Sequence, residues 1–310
     1  MYRIRFHGRG GQGMKTASRI LGSAFFREGY EVQDAPRYGA ERRGAPIFAY
    51  VRAAQRPIHE RGGIAQPDLV VVADETLTPI PAAGVLAGVS ARTVLLINSA
   101  ESEDAWKARL NYAGRIVRLP GGGETRERAE TATIGAICAG AAARLVGRIS
   151  REALALAVDD EIAALGREAA EKSRERALAA FDALDFAEGC VMEGEAHDAR
   201  GYAAPEWVEL AAEAALAAAP DIRAVATSVE VRTGLWRTLR PVIDYDHCKG
   251  CSWVCSTLCP DSAIQVDAEG APRIDYDHCK GCLVCVAVCP PHAIRALPEK
   301  DVQQAQEATA

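Results

Sequence analysis

The sequence predicts an α/β protein, a three-layer domain built on a parallel sheet, followed by a small α+β domain rich in cysteine. Two observations carry that expectation. Over roughly the first 190 residues, short β-rich runs alternate with helical patterns, the order that builds a parallel sheet flanked by helices. In the last quarter of the 310 residues, eight of the ten cysteines fall into two runs that belong to an internal repeat. The domains are set at 1–192 and 233–310. Between them, residues 193–232 lose all periodicity to Gly, Ala, Pro and scattered acids, with an Ala-rich segment at Glu209–Ala219, and read as a linker.

Strands are expected at Tyr2–His7, Ile47–Val51, Leu69–Ala73, Val94–Asn98 and Arg115–Leu119, with helices around Met14–Arg27, Ile80–Val89, Asp104–Asn111 and Arg126–Val146. Val70, Val71 and Val72, bounded by Asp68 and Asp74, are apolar on both faces, as a central parallel strand requires. In the long helix Ile134, Cys138, Ala141 and Leu145 share one face, so Cys138 reads as a small buried hydrophobe. Cys190 lies in a Gly-flanked loop without further signal. Two charged helices follow, about Arg151–Leu165 and Arg167–Leu184, the second with a narrow apolar stripe of Ala177, Phe181 and Leu184 that packs on the sheet domain or on a partner.

A net charge of −6, 25% charged and 49% hydrophobic residues describe an ordinary globular protein and suggest neither nucleic acid nor an anionic membrane as partner. Arg3 and Arg5 leading straight into glycines make no secretory signal, and the Ala-rich stretch Ala132–Val146, broken by Arg144, is too short to span a bilayer. Reduced cysteines place the chain in the cytoplasm.

The two runs are Cys248-x2-Cys251-x3-Cys255-x3-Cys259-Pro260 and Cys279-x2-Cys282-x2-Cys285-x3-Cys289-Pro290. Eight soft thiolates are the ligand count of two [4Fe-4S] clusters, whereas zinc ribbons use isolated Cys-x-x-Cys pairs, and a disulfide framework is the other alternative. Residues Ile243–Cys251 recur letter for letter at Ile274–Cys282, and Ala263-Ile264 returns as Ala293-Ile294. Such a duplication resembles a two-cluster bacterial ferredoxin. The resemblance implies a crossed assignment: Cys248, Cys251, Cys255 and Cys289 for one cluster, Cys279, Cys282, Cys285 and Cys259 for the other. The first run carries one residue more than usual between Cys251 and Cys255, read as a bulge that pushes Trp253 outward or over the cluster, as a shield against water or as a redox relay. His247 and His278 precede each run, either packing the loop or tuning a cluster by hydrogen bonding.

At the first strand-to-helix turn stands Gly8-Arg9-Gly10-Gly11-Gln12-Gly13, with Asp34 about 20 residues beyond. It fits G-x-G-x-x-G of a dinucleotide site. It is also near a P-loop, although Lys15-Thr16 stand one residue too far from Gly13. Both use glycines to close backbone on an anion at a helix N-terminus, and a plain tight turn is the third reading. Arg42 and Arg43, inside Arg37–Pro46, suggest an anion or a partner surface, against a solvated charged loop. Gly8–Gly13, Arg42, Arg43, Asp74 and Asn98 are expected at the carboxyl edge of the sheet, where open α/β folds collect ligands.

The turn Gly8–Gly13 followed by Tyr38-Gly39-Ala40-Glu41-Arg42-Arg43-Gly44-Ala45-Pro46 resembles the gamma subunit of the 2-oxoacid:ferredoxin (acceptor) oxidoreductases. Thr233-Gly234-Leu235-Trp236-Arg237-Thr238-Leu239-Arg240-Pro241, ahead of the cysteine runs, is similar to the start of that family's ferredoxin-like delta subunit. Together they make the chain look like a fused gamma–delta subunit. The resemblance implies a hetero-oligomeric, thiamine-diphosphate-dependent enzyme that oxidatively decarboxylates a 2-oxoacid such as pyruvate. Thiamine diphosphate and Mg belong to partner alpha and beta subunits, electrons leave through iron–sulfur clusters to a ferredoxin or a reductase subunit, and coenzyme A is co-substrate in most members. Gly8, Gly10, Gly11, Gln12, Gly13, Arg42 and Arg43 become candidates for contacting CoA phosphates or a neighbouring subunit. This chain has no Gly-Asp-Gly followed by a distant Asn, the thiamine-binding signature, so no catalytic residue is expected in it. Two other readings stand beside this one: a self-contained NAD(P)H or flavin reductase with a fused ferredoxin, using Asp34 on the ribose, and an assembly module whose clusters are structural.

Overall fold

A strand buried on both faces organises the N-terminal part of the molecule. A computed structural model of the chain describes residues 1–36, 44–119, 133–195, 231–299 and 301–302. Arg42 and Arg43, residues 126–132 of an expected helix and residues 196–230 of the expected linker lie outside them. The chain divides into two compact units, 1–195 and 196–310.

Among the described residues of the first unit, β1 (Tyr2–Arg9), β2 (Glu31–Pro36), β3 (Pro46–Ala54), β4 (Leu69–Val72), β5 (Val94–Ile97) and β6 (Ile116–Arg118) form one sheet in the order β2-β3-β1-β4-β5-β6. β1, β4, β5 and β6 are parallel. β3, expected as one more parallel strand, instead runs antiparallel to both β2 and β1. The sheet is therefore mixed. The reason is β2, a strand without an apolar signal in the sequence: Glu31–Pro36 is polar, pairs on one side only, and is held by its ladder to β3 rather than by burial. Consecutive strands pair as hairpin neighbours, so β3 returns beside β2 and fills the place next to β1.

The helices are α1 (Met14–Arg27), α2 (Glu103–Leu110), α3 (Ile134–Val146), α4 (Arg151–Ile162) and α5 (Arg167–Ala183). Ser102 and Ser150 cap α2 and α4, their hydroxyls accepting from the N–H of Ala105 and Ala153 at 3.1 Å, and Gly147 ends α3 in the left-handed conformation. Tyr2, Ile4, Phe6, Leu69, Val71 and Leu96 pack against α1, α3, α4 and α5. Val70, Val72, Leu95 and Ile97 pack against Leu77, Ile80, Ala83, Val85 and Trp106 on the opposite face. β4 is thus apolar on both sides, as its sequence requires. The helix expected at Ile80–Val89 is only a 3-10 turn, Pro81–Ala83, because Gly84 and Gly88 take positive φ. Ile80, Ala83 and Val85 are nevertheless buried, whereas Leu86 is exposed. The charged helices dock within the unit: Ala177, Phe181 and Leu184 join the core beside α3.

α3 is buried almost all round, and burial pushes the Cys138 thiol up to about 12, consistent with packing alone. The chain holds to this unit as far as Glu195: the Met1 ammonium meets Glu193 at 2.7 Å, and Glu195 pairs with Arg92.

In the second unit, β7 (Leu239–Ile243) pairs antiparallel with β10 (Ile294–Pro298), and β8 (Ile264–Val266) with β9 (Pro272–Ile274). Two short helices, α6 (Val254–Thr257) and α7 (Val284–Val288), carry Cys255 and Cys285. Its core consists of Ile243, Ile264, Ile294 and Ala293 together with cysteines. So small an apolar core needs metal cross-links to hold a fold.

A β-carbon on Gly140 of α3 would overlap the Ala177 carbonyl of α5. Gly140→Ala is therefore expected to lower the melting temperature of the full chain by roughly 2–10 °C, an overpacking effect of about 1–3 kcal/mol, measured by thermal circular dichroism. An unchanged transition would show that the two helices do not pack this closely.

Candidate metal centre

The eight repeat cysteines separate into two quartets around two recesses. One recess is lined by Cys259, Cys279, Cys282 and Cys285. The other is lined by Cys248, Cys251, Cys255 and Cys289. Each quartet takes three cysteines from one run and the fourth, the one before proline, from the other. Among the described residues no three ligating side chains converge on one point as a single ion needs. The thiols instead stand around a space, the arrangement a polynuclear core requires.

The repeat explains how the sequence builds this twice. Gly250 and Gly281 turn the chain with positive φ after Cys248 and Cys279, and Trp253 and Leu283 take the left-handed conformation before α6 and α7. Ser262 and His292 do the same after Cys259 and Cys289. Tyr245 donates its hydroxyl hydrogen to Pro272 O at 3.1 Å, and Tyr276 donates to Pro241 O at 3.0 Å, so each half ties down the other. Trp253 corresponds to Leu283, since each stands two residues before the third cysteine of its run and lines the equivalent recess. The extra residue is therefore Ser252, absorbed in a tight turn where Trp253 N–H reaches Cys251 O at 2.6 Å. The indole N–H donates to Gly270 O at 2.9 Å, which fixes the ring against one wall of the recess.

The donor set fits iron–sulfur clusters. Burial, then the neighbouring thiols Cys279 and Cys282, push the Cys285 thiol up to about 12, and burial also raises Cys255 and Cys279. Two cysteines of each quartet are buried, and four thiolates gathered around one recess require a cationic core for compensation. Backbone donors are also in place: Ala263 N–H points at Cys259 Sγ and Ala293 N–H at Cys289 Sγ, both at 3.3 Å. In the sequence these alanines stand out only by recurring in the repeat. Each ring Nδ1 of His247 and His278 meets the aspartate three residues back, Asp244 at 2.9 Å and Asp275 at 2.7 Å, contacts that pack the loop.

The glycine turn of the first unit is braced from inside. Gln12 Oε1 accepts from Arg9 N–H at 2.7 Å, and Gln12 Nε2 donates to Asp74 at 3.1 Å. Arg9 is buried and donates to Asp74 at 3.1 Å, Gly44 O at 3.0 Å and Thr76 Oγ1 at 2.7 Å. Gly13 is left-handed and lies so close to α3 that a β-carbon on Gly135 would stand 2.5 Å from Gly13 O. Gly11, at positive φ, faces open space. The turn therefore spends its side chains inward, and the N–H groups of Arg9, Gly10 and Gln12 are also bonded within the unit, to Gln12 Oε1, Ala45 O and Arg9 O. Asp74 and Asn98 do reach this edge, Asn98 donating to Ala73 O at 2.9 Å. Asp34 does not: it lies within the edge strand β2, paired with Val51 and separated from β1 by β3. A dinucleotide site needs that acid at the carboxyl end of a strand neighbouring β1, so the self-contained reductase loses its ribose contact.

Both units have relatives among known proteins. Residues 3–183 match the family described as pyruvate ferredoxin/flavodoxin oxidoreductase. The chain belongs to that family. Residues 240–290 match a second family, the 4Fe-4S dicluster domain, so this oxidoreductase chain carries an iron–sulfur module after its family domain. The pyruvate/ketoisovalerate oxidoreductases common subunit gamma of Thermococcus kodakarensis is 35% identical over 177 residues, 56% of this chain and 95% of its own length. Pyruvate synthase subunit PorC of Thermotoga maritima is 41% identical over 115 residues, 37% of this chain and 58% of its own. The crystal structure of the pyruvate oxidoreductase subunit PORC from Thermotoga maritima has 29% identity and a TM-score of 0.48, covering 58% of this chain and 95% of that one.

The crossed quartets make Cys289→Ala an informative variant. It is expected to reduce iron from about eight to about four per chain, and Cys255→Ala should remove the same cluster, leaving one electron paramagnetic resonance signal common to both. Different surviving signals in the two variants would contradict the crossing.

Proposed function

We propose that the chain is the electron-transfer and docking subunit of a thiamine-diphosphate-dependent 2-oxoacid:acceptor oxidoreductase, in which two [4Fe-4S] clusters carry single electrons from a partner's carbon chemistry to an external acceptor. The observation that supports this reading most is the pair of crossed thiol quartets joined, in one polypeptide, to a domain of the oxidoreductase family. Cys248, Cys251, Cys255 and Cys289 would hold one cluster, Cys259, Cys279, Cys282 and Cys285 the other, with 233–310 as the ferredoxin-like domain and 1–192 as the docking domain.

The chain's own residues have defined tasks. Trp253 and Leu283 cover the recesses and limit water, and the N–H groups of Ala263 and Ala293 place positive dipole ends on the crossing sulfurs, two determinants of cluster potential. On the first unit, the Gly10 N–H is held by Ala45 O at 2.9 Å, and the backbone at Gly11 and Gly13 at the start of α1 would offer N–H groups to an anion such as a CoA phosphate, with Gln12 and Arg9 holding the turn rigid from behind. Arg42 and Arg43 follow that turn in sequence and are proposed for the same anion or for the subunit interface. Alpha and beta chains bearing thiamine diphosphate and Mg would complete the enzyme, with a ferredoxin or a reductase subunit as acceptor. Among the described residues no helix is long and apolar enough to cross a membrane, in keeping with work in the cytoplasm.

Purified from its source, the chain should travel with thiamine-binding partners. In that complex Cys285→Ala is expected to abolish reduction of the external acceptor while 2-oxoacid binding, followed by titration of the partner site, stays intact. A Cys285→Ala complex that reduces acceptor at the normal rate would overturn the proposal.

A further inference from the structure

The segment Thr233–Pro241 precedes the cysteine runs, and neither the cluster ligands nor the glycine turn accounts for it. It wraps one cysteine loop and leaves the identical one alone. Arg237 is buried, and its Nη1 donates to the carbonyls of Tyr276 and Cys279, both at 2.7 Å. Its Nε and Nη2 hold Glu299 at 2.6 and 2.9 Å, and Arg240 holds the same carboxylate at 3.0 and 2.6 Å. Gly234 N–H donates to Asp277 O at 2.8 Å, Thr233 Oγ1 to His278 O, and Glu299 N–H to Thr238 O at 2.9 Å. Contact is close enough that a β-carbon on Gly281 would stand 2.7 Å from Arg237 Cγ.

The first repeat has the same residues from Ile243 to Cys251 but different surroundings. By the 31-residue offset that separates Cys248 from Cys279, the positions matching Arg237 and Arg240 are Ala268 and Ala271. A β-carbon on Gly250 would meet only Gly270 O, at 3.9 Å. Since the loop sequences are the same, the difference belongs to the clamp. We infer that residues 233–240, locked by Glu299, clamp the loop carrying Cys279 and Cys282, and that Arg237 and Glu299 are positioning residues for the cluster of Cys259, Cys279, Cys282 and Cys285 alone. The guanidinium fixes the peptide carbonyl of a ligand cysteine, and through it the direction of the thiolate. Glu299 fixes the guanidinium. This inference rests on the proposed cluster assignment.

The test uses the full chain in its native complex, isolated without oxygen, and counts iron and sulfide. Arg237→Met should halve the iron, from about eight to about four per chain. Added to Cys255→Ala it should remove the remaining four, and added to Cys285→Ala it should remove none. Glu299→Gln, which keeps shape and loses charge, should retain both clusters and move the midpoint potential of one of them to a more positive value, read by a titration followed by electron paramagnetic resonance. Equal iron loss in both cysteine backgrounds, or two clusters with unchanged potentials in both single variants, would overturn the clamp while leaving the cluster assignment standing. Wild-type chain without iron would overturn the assignment, and the clamp with it.

Discussion

The exchange of Cys259 and Cys289 between the two halves of the repeat is the constraint on which the C-terminal unit depends. Neither half encloses a recess by itself: each supplies three thiols to one quartet and a fourth to the other. The strands alone could not hold the halves together, because β8 and β9 are three residues each and the apolar core is a handful of isoleucines. Under the proposed cluster assignment, metal–thiolate bonds across the pseudo-twofold would act as both cross-link and electron site. The same buried position that makes Cys285 costly to ionise without metal would make it a shielded ligand with metal.

The N-terminal unit meets a different constraint. β1 alternates Tyr2, Ile4 and Phe6 on its helix-packed face with Arg3, Arg5, His7 and Arg9 on the other, and all of them are buried. Each of these residues meets at least one partner: Arg3 pairs with Glu60 at 2.5 Å, Arg5 donates to Ile64 O and Val85 O, His7 Nδ1 meets Ala83 O at 3.1 Å, and Arg9 meets Asp74, while among the described residues Arg5 Nε and His7 Nε2 stay buried without one. Burial, then the Arg5 charge, lowers His7 to about 3, so it is neutral. The irregular chain between β3 and β5 is present to supply these acceptors, which is why loops and 3-10 turns rather than a long helix cover much of that face. The last of the series, Arg9, reaches Asp74 and with Gln12 gives the glycine turn its rigidity.

Much of this was legible in the sequence wherever the signal was local or repeated. Met14–Arg27 is a helix at both of its expected ends, β4 is apolar on both faces, and the two cysteine runs fall into the quartets that their likeness to a ferredoxin implies. What was not legible depends on partners far along the chain. β2 is polar and exists through its ladder to β3. The segment Ile80–Val89 has helical spacing of apolar residues but carries Pro81, Gly84 and Gly88. The additional residue of the first run proves to be Ser252 because conformation, not spelling, equates Trp253 with Leu283. Glu299 has no counterpart in the repeat and no motif around it; its meaning appears only when Arg237 and Arg240 are seen on its carboxylate.

The central claim is that this chain carries two cubane clusters. Mössbauer spectroscopy combined with iron and acid-labile sulfide analysis of anaerobically purified protein tests it most directly. The account requires about eight irons and about eight sulfides per polypeptide, all in [4Fe-4S] centres that accept one electron each. Zinc in place of iron, or about four irons in the unaltered chain, would contradict it.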